Sequence, residues 1–485
     1  MDHDEALRFF ASAERFGIRL GLDRMRSLMD RLGGVPREPV FVHVAGTNGK
    51  GSVTAFMASA LAAAGYRTGI YTSPFLFRFE ERIRVLDGAD DLEALTRDET
   101  TGEIPHEALT RLASRVRTAV EGMLADGEEH PTEFELITAA AFLHFAERRC
   151  DVVVLETGLG GRLDATNVIP APAVCVITAM GYDHCDRLGS TMREISGEKA
   201  AIVKSGARVV LQDPVPLALL EDARTVESVV RARCEAVGAS LAVVRREEVE
   251  VLEKGLSPID DRFCQTLRIL RPRTDLKTSL VGAYQPLNAA TAFRALEFLA
   301  GPCGMTRLDG ASIARGFALA RWPCRFEFVS TRPPVVMDGA HNPQGAVALR
   351  ESLREIFRGG RVHFVCGVSA DKDYPTMLRE LLATDSGTGD DGFHPASFRC
   401  VAADHPRALA PAALADAVRS SVSAAGLEMK VEGSASVPGA VADAIRDAEA
   451  DGGAVCVFGS LFLMRAARDA AARSLSGKHL KEDRP

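Results

Sequence analysis

The chain of 485 residues has little of what marks several common classes of protein. Its ten cysteines, at Cys150, Cys175, Cys185, Cys234, Cys264, Cys303, Cys324, Cys366, Cys400 and Cys456, include no CxxC pair, so they read as buried thiols of a reducing compartment. No apolar run reaches about 18 residues, and the acidic start Met-Asp-His-Asp-Glu lacks the basic and apolar regions of a secretory signal. A soluble cytoplasmic protein is expected. There is no basic excess either: the formal charge is −8, which argues against nucleic acid or a membrane surface as a partner. No short internal repeat is evident. What is present is ample core material, 46% hydrophobic and 26% charged residues, which excludes global disorder. The length predicts two to four domains.

Short apolar runs alternate with helical segments along most of the chain, the pattern of parallel sheets covered by helices, so the fold class is α/β. Strands are expected at 40–44, 69–72, 152–156, 174–178, 209–212, 335–338, 362–366 and 455–458. Helices are expected at 51–64, 133–147, 287–299, 344–356 and 437–449. In 287–299, Leu287, Ala290, Phe293, Leu296 and Leu299 recur at helical spacing and read as core. Arg-Trp-Pro-Cys-Arg at 321–325 breaks a helical segment and a new strand-helix series follows, which divides the chain into domains 1–323 and 324–485. The stretch 384–395 reads as a surface loop, 476–485 as a polar tail, and 87–103 as an insertion or mobile loop.

The strand at 40–44 breaks into Gly46-Thr47-Asn48-Gly49-Lys50-Gly51-Ser52 and a helix follows. Glycines let amides turn toward a phosphate, the helix N-terminus adds positive potential, and Lys50 can reach the terminal phosphates, so the loop fits a nucleoside triphosphate. The position after the lysine, where Ser or Thr usually serves Mg²⁺, holds Gly51; Ser52 and Ser73 are the candidate hydroxyls. Glu156 ends another strand, where a carboxylate can hold Mg²⁺. The glycine-rich run that follows it suits close backbone approach to a ligand or an irregular loop. His184, beyond a third strand end, can reach the same metal.

Taken in order, these segments resemble the folylpolyglutamate synthase and dihydrofolate synthase family of the Mur ligase superfamily. The resemblance rests on GTNGKGS at 46–52, TSP at 72–74, ERIRV at 81–85, TEFE at 132–135, ETGLGGRLDATN at 156–167, DH at 183–184, EKAAIVK at 198–204, YQPLNAATA at 284–292 and DGAHNP at 338–343. It implies an ATP-dependent amide ligase, with an N-terminal P-loop domain, a C-terminal Rossmann-like domain and an active site in the cleft between them. It would join L-glutamate to a folate or dihydropteroate carboxylate through an acyl phosphate. It implies ATP contacts from Gly46, Thr47, Asn48, Gly49, Lys50, Gly51, Ser52, Asn288, Arg325, Asp338 and His341. Mg²⁺ would be held by Ser73, Glu156, His184 and Lys199, the last as a carbamate. Lys50, Lys199 and His184 would act in catalysis, and Asp164 and Arg82 would face the folate substrate.

On a helix Lys199 would share a face with Ile195, Ile202 and Val203. The alternative to a carbamate is a lysine paired with Glu194 or Glu198. Phe75 and Cys324 depart from the family, which often has His and Gly there. A monomer is expected. A Mur cell-wall amino-acid ligase and a P-loop nucleotide switch are the competing functions.

Overall fold

The computed structural model describes residues 1–17, 19–214, 220–257, 262–383 and 392–482, with side chains up to residue 475. Most of the expected loop at 384–395 and the last three residues of the expected tail lie outside the described residues. Contacts divide the chain into two compact units: Met1–Glu250 with Arg268–Lys277 and Leu287–Arg321, and Val251–Leu267 with Thr278–Pro286 and Trp322–Pro485.

The first unit carries strands β1 (Val40–Ala45), β2 (Arg67–Tyr71), β3 (Ile83–Asp87), β4 (Val152–Glu156), β5 (Val174–Ile177), β6 (Arg208–Gln212) and β7 (Ser240–Val244). They form one sheet of order β3-β2-β4-β1-β5-β6-β7, parallel except for the β2/β3 pair. The central strands β1, β4 and β5 are near-continuous apolar runs because both faces are covered. One face packs Phe41, Val153 and Leu155 under the helices His3–Ser12, Asp23–Arg31, His106–Ala125 and Glu133–Glu147. Toward the other edge Cys175, Val209 and Leu211 pack with Ile202, Val226 and Val230. The TEFE segment is a helix cap: Thr132 accepts from the Glu135 amide, and Glu135 accepts in return from the Thr132 amide at 2.7 Å.

Strands β8 (Val249–Leu256), β9 (Phe263–Leu270) and β10 (Arg273–Thr278) form a small sheet of order β10-β9-β8. The second unit is built on β11 (Glu327–Thr331), β12 (Pro334–Asp338), β13 (Arg361–Cys366), β14 (His394–Cys400), β15 (Lys430–Gly433) and β16 (Ala454–Phe458), in the order β11-β12-β16-β13-β14-β15. It is parallel except at β11/β12, a Rossmann-like arrangement with Phe364, Phe398 and Phe458 at its centre.

The stretch expected as an insertion or loop at 87–103 instead holds the helix Ala89–Leu95, with Leu92 buried. It closes onto β3, because Glu103 receives Arg78 at 2.8 Å and Arg84 at 3.2 Å. Seven of the ten cysteines are buried, as expected; Cys185 is exposed, Cys264 and Cys303 are half-buried, and all ten are free thiols. The backbone of the expected tail is helical through Glu482. Among the described residues no helix is long and apolar enough to cross a membrane.

Candidate active site

Strands β2, β4, β1 and β5 are neighbours and parallel, so their C-terminal ends share one edge, where open parallel sheets bind ligands. Tyr71 pairs with Leu155, Val44 with Glu156, and Ala45 with Ile177. The glycine loop leaving β1 therefore lies between Glu156 and the segment leaving β5, with Ser73 two residues beyond β2.

The helix after the loop is Lys50–Ala63, and its N-cap Gly49 has φ 85°. A Cβ there would also lie 2.7 Å from Asn288 Oδ1, so both conformation and contact demand glycine. The Thr47 and Asn48 amides donate to the Ala179 carbonyl at 2.9 and 3.1 Å. The expected cradle of amides from Gly46 to Gly51 is narrower for that reason. The helix itself gives the Lys50 and Gly51 amides no acceptor. Ser52 is buried in the first turn.

Two lysines converge on this loop. Lys50 Nζ lies 3.3 Å from the Gly46 carbonyl and 3.8 Å from Glu156 Oε1, and Lys199 Nζ donates to the same Gly46 carbonyl at 2.9 Å. Burial, and then the charge of Lys50, push the Lys199 amine down to about 7. Neither expected carboxylate partner holds it: Glu198 pairs with Arg162 at 2.5 Å, and Glu194 caps its own helix. That helix, Met192–Ala200, ends before Ile202 and Val203, so Lys199 shares a helical face with Ile195 but not with those two. His184 has φ 53° and a side chain 43% exposed, 3.8 Å from Asp183 Oδ1. Ser73 and Glu156 present hard oxygen donors at neighbouring parallel strand ends, a set that fits Mg²⁺.

Gln212, which the sequence does not single out, also meets these residues. It ends β6, accepts from the Ala179 amide at 3.1 Å and donates to Asn288 Oδ1 at 3.2 Å, so it ties the carbonyl under the loop to the Asn288 side chain. The signal was the same as for Glu156, a polar residue closing an apolar strand.

Asp164 is buried and organises its own loop. It accepts from the Leu159 amide at 2.8 Å, the Thr166 amide at 3.0 Å and the Thr166 hydroxyl at 2.5 Å. With its proton donated to Asp164, Thr166 Oγ1 can only accept from His43 Nε2 at 2.8 Å, which fixes the His43 tautomer. Burial pushes His43 down to about 3. Lys204 bonds the Asn167 carbonyl at 2.8 Å. Arg82 lies over the Phe75 and Phe79 rings at 5.2 and 5.6 Å, and its Nε is buried without a hydrogen-bond partner among the described residues. Phe75 thus serves as a cation–π surface for the expected substrate arginine.

In the second unit Asp338 ends β12 and accepts from the Tyr284 hydroxyl at 2.7 Å, the Phe326 amide at 2.9 Å and the Ala340 amide at 2.8 Å. Arg325 sits between Cys324 and Phe326, which have φ 56° and 52°, a region where the family's glycine would be unstrained. A Cβ on Gly339 would lie 2.1 Å from Arg325 Nη1, so this glycine makes room for the arginine. His341 Nδ1 meets the Gly339 carbonyl at 2.7 Å.

Residues 100–296 match the Mur ligase middle domain, and residues 324–461 match the Mur ligase glutamate ligase domain. The chain is 38% identical over 404 residues to the dihydrofolate synthase/folylpolyglutamate synthase of Bacillus subtilis, covering 83% of this chain and 86% of that one. It belongs to the folylpolyglutamate synthase and dihydrofolate synthase family. The Escherichia coli dihydrofolate synthase/folylpolyglutamate synthase is 35% identical over 75% of each chain. A Mycobacterium tuberculosis folylpolyglutamate synthase complexed with ADP and AMPPCP shares the fold at TM-score 0.77 and 29% identity, covering 98% of this chain and 99% of that one. The family resemblance read from the sequence is thereby borne out.

Proposed function

We propose a division of labour for this family member, an ATP-dependent ligase that joins the amine of L-glutamate to a folate or dihydropteroate carboxylate. A carboxylate is a poor electrophile, so the acceptor is first converted to an acyl phosphate, which the glutamate amine then attacks with loss of phosphate. The observation that carries this reading is the convergence of Lys50, Lys199 and Glu156 on one glycine loop at the edge of four parallel strands. Neither a cell-wall ligase nor a nucleotide switch is favoured by the relatives found. Lys50, with the Lys50 and Gly51 amides, holds the terminal phosphates. Asn288, fixed by Gln212, serves the base; in the second unit Arg325 and His341 are read as nucleotide contacts, with Asp338 holding the backbone beside them. Ser73, Glu156 and His184 hold Mg²⁺, which when bound offsets the negative charge that accumulates in phosphoryl transfer. Arg82, with its unpartnered buried Nε, faces the anionic or electron-rich part of the acceptor, and Asp164 holds the acceptor-side loop in shape.

Lys199 is read as a carbamate. Its neutral amine attacks carbon dioxide: the N–C bond forms, one C–O π bond breaks and the nitrogen loses a proton, leaving an anion able to hold a second Mg²⁺. The absence of Glu194 and Glu198 as partners supports this reading, as does the depressed basicity. Residues 1–323 are read as the ATP-binding domain and 324–485 as the glutamate-ligase domain, and the protein as a cytoplasmic monomer; the ten free thiols support the compartment.

Oxygen-18 placed in the acceptor carboxylate should be recovered in the released phosphate, whereas unlabelled phosphate would exclude the acyl-phosphate route. Running the reaction with dihydropteroate and with tetrahydrofolate, read by mass spectrometry, identifies the acceptor. Lys199→Ala should lose most activity and regain part of it with short carboxylic acids; a fully active variant would remove the carbamate.

A further inference from the structure

Away from the phosphate loop, three side chains from separate elements of the first unit converge on one point. His3 opens the helix His3–Ser12, Glu80 lies in the single turn Phe79–Arg82, and His106 opens the helix His106–Ala125. His3 Nε2 is 3.1 Å and His106 Nε2 3.4 Å from the same carboxylate oxygen, Glu80 Oε1. One donor atom from each residue lies within 4.8 Å of the other two. The two imidazoles stack with centroids 3.7 Å apart at 13°.

Donor atoms bound tetrahedrally at the usual zinc bond lengths stand about 3.4 Å from one another. The two N···O separations match that edge, but the stacked rings aim their lone pairs along nearly parallel lines, so the exposed His106 ring has to turn out of the stack to admit an ion. We propose that His3, Glu80 and His106 form a binding site for a borderline divalent cation, Zn²⁺ or its analogue Co²⁺, distinct from the Mg²⁺ residues of the active site.

The two nitrogens and one carboxylate oxygen are the donor set such ions prefer over Mg²⁺. Glu80 is buried and supplies the negative charge, while the His106 side chain is 67% exposed, which leaves a fourth position open to water. Two helix N-termini oppose a cation there. Asp2 and Glu107 flank the site with negative charge, and the nearby Arg111 and Arg115 are paired with Glu147 at 2.7 and 2.8 Å. His3 Nδ1 is buried without a partner among the described residues. A ligating imidazole whose second nitrogen is unsupported typically loses about 10–100-fold in affinity, so the site exchanges its ion readily. An occupied site clamps both helices to the turn that carries Phe79 and Arg82, and Phe79 stacks on Phe10 at 5.5 Å.

The test is a Co²⁺ titration of the full chain, stripped with chelator and free of nucleotide, read by visible absorption and repeated with Zn²⁺ in competition. Wild type should take up one equivalent with the intense bands of a low-coordinate site, and Zn²⁺ should raise its melting temperature. His106→Ala, at an exposed position away from the residues assigned to amide formation, should weaken uptake at least about 10-fold and lose the thermal shift, and His3→Ala should do the same. Absence of stoichiometric uptake by wild type, or uptake unchanged in either variant, would overturn the site and leave a histidine–carboxylate contact only.

Discussion

Both units place a functional loop beyond the C-terminal end of a strand in a mainly parallel sheet, yet the two loops are built on opposite principles. Beyond β1 the groups are charged, and the cations meet neutral oxygens more closely than anionic ones: two lysines rest on a loop carbonyl, and Lys50 stands 3.8 Å from Glu156. Beyond β12 the one carboxylate, Asp338, takes three short hydrogen bonds from its own unit. Charges held at long range suit a ligand that will complete them, whereas a carboxylate with three donors already has its partners. The first loop is therefore expected to matter chiefly for the reaction, and the second for holding Arg325 and the strained backbone around it in place.

The sharpest way to break this contrast is Lys50→Ala. Ligation should fall on the order of 10³-fold, the scale of losing a charge aimed at a transferring phosphoryl group. Denaturant stability should change by less than about 1 kcal/mol, because the group lies in a half-buried loop and fills no core volume. Steady-state kinetics and urea unfolding give both numbers, and a large loss of stability would show that the first loop is structural after all.

Asp338→Asn is the mirror experiment. The amide nitrogen would face donors in place of an acceptor, so one of Tyr284, Phe326 N or Ala340 N loses its partner, at a cost of about 2–4 kcal/mol. Unfolding followed by a probe in the second unit should show it, with activity falling in proportion to the loss of folded protein and of Arg325 placement. Unchanged stability would mean that the carboxylate is present for its ligand.

A smaller effect separates the layers of the first loop. Gln212→Ala removes the tie between Ala179 and Asn288 without touching the lysines, and should raise the KM for ATP about 10-fold with kcat little changed, a loss of about 1–1.5 kcal/mol. Equal losses in kcat would place Gln212 nearer the reacting atoms.

What the sequence makes legible follows from the range of each interaction. Each of the eight expected strands overlaps an observed strand to within two residues at either end, because a doubly covered strand is a continuous apolar run. Glu156, Lys50 and Ser73 were legible as residues at loop mouths or strand ends. Gln212 carried the same local mark but its partner is 76 residues away, and the His43–Thr166 bond spans 123 residues; no local period encodes such pairs. Lys199 was expected to be buried on a helical face, and burial holds although the helix stops at Ala200, since the fold beyond the helix covers Ile202 and Val203 as well. The segments Val251–Leu267 and Thr278–Pro286 group with the second unit, which no single cut in the chain expresses.

The smallest expected effect tests whether the acceptor-side loop follows the first principle or the second. His43, Thr166 and Asp164 form a buried chain of hydrogen bonds, which resembles the saturated Asp338 more than the phosphate loop next to it. Burial holds the folded-state His43 near 3 against an ordinary value of 6.5, so between these two pH values the unfolded chain binds a proton that the native protein does not. Stability from this group is therefore intact above pH 6.5 and declines as the pH falls toward 3, with a slope of up to about 1.4 kcal/mol per pH unit. His43→Gln keeps an amide donor for Thr166 and has no titrating group. Its stability at pH 7.5 should lie within about 1 kcal/mol of wild type, and its decline between pH 6 and 4 should be shallower by the contribution of one proton. Parallel acid profiles for the two proteins would mean that His43 is protonated in the native state. Thr166 would then have to accept from a charged imidazole, and the Asp164 loop would belong with the charged, ligand-dependent loop instead of the saturated one.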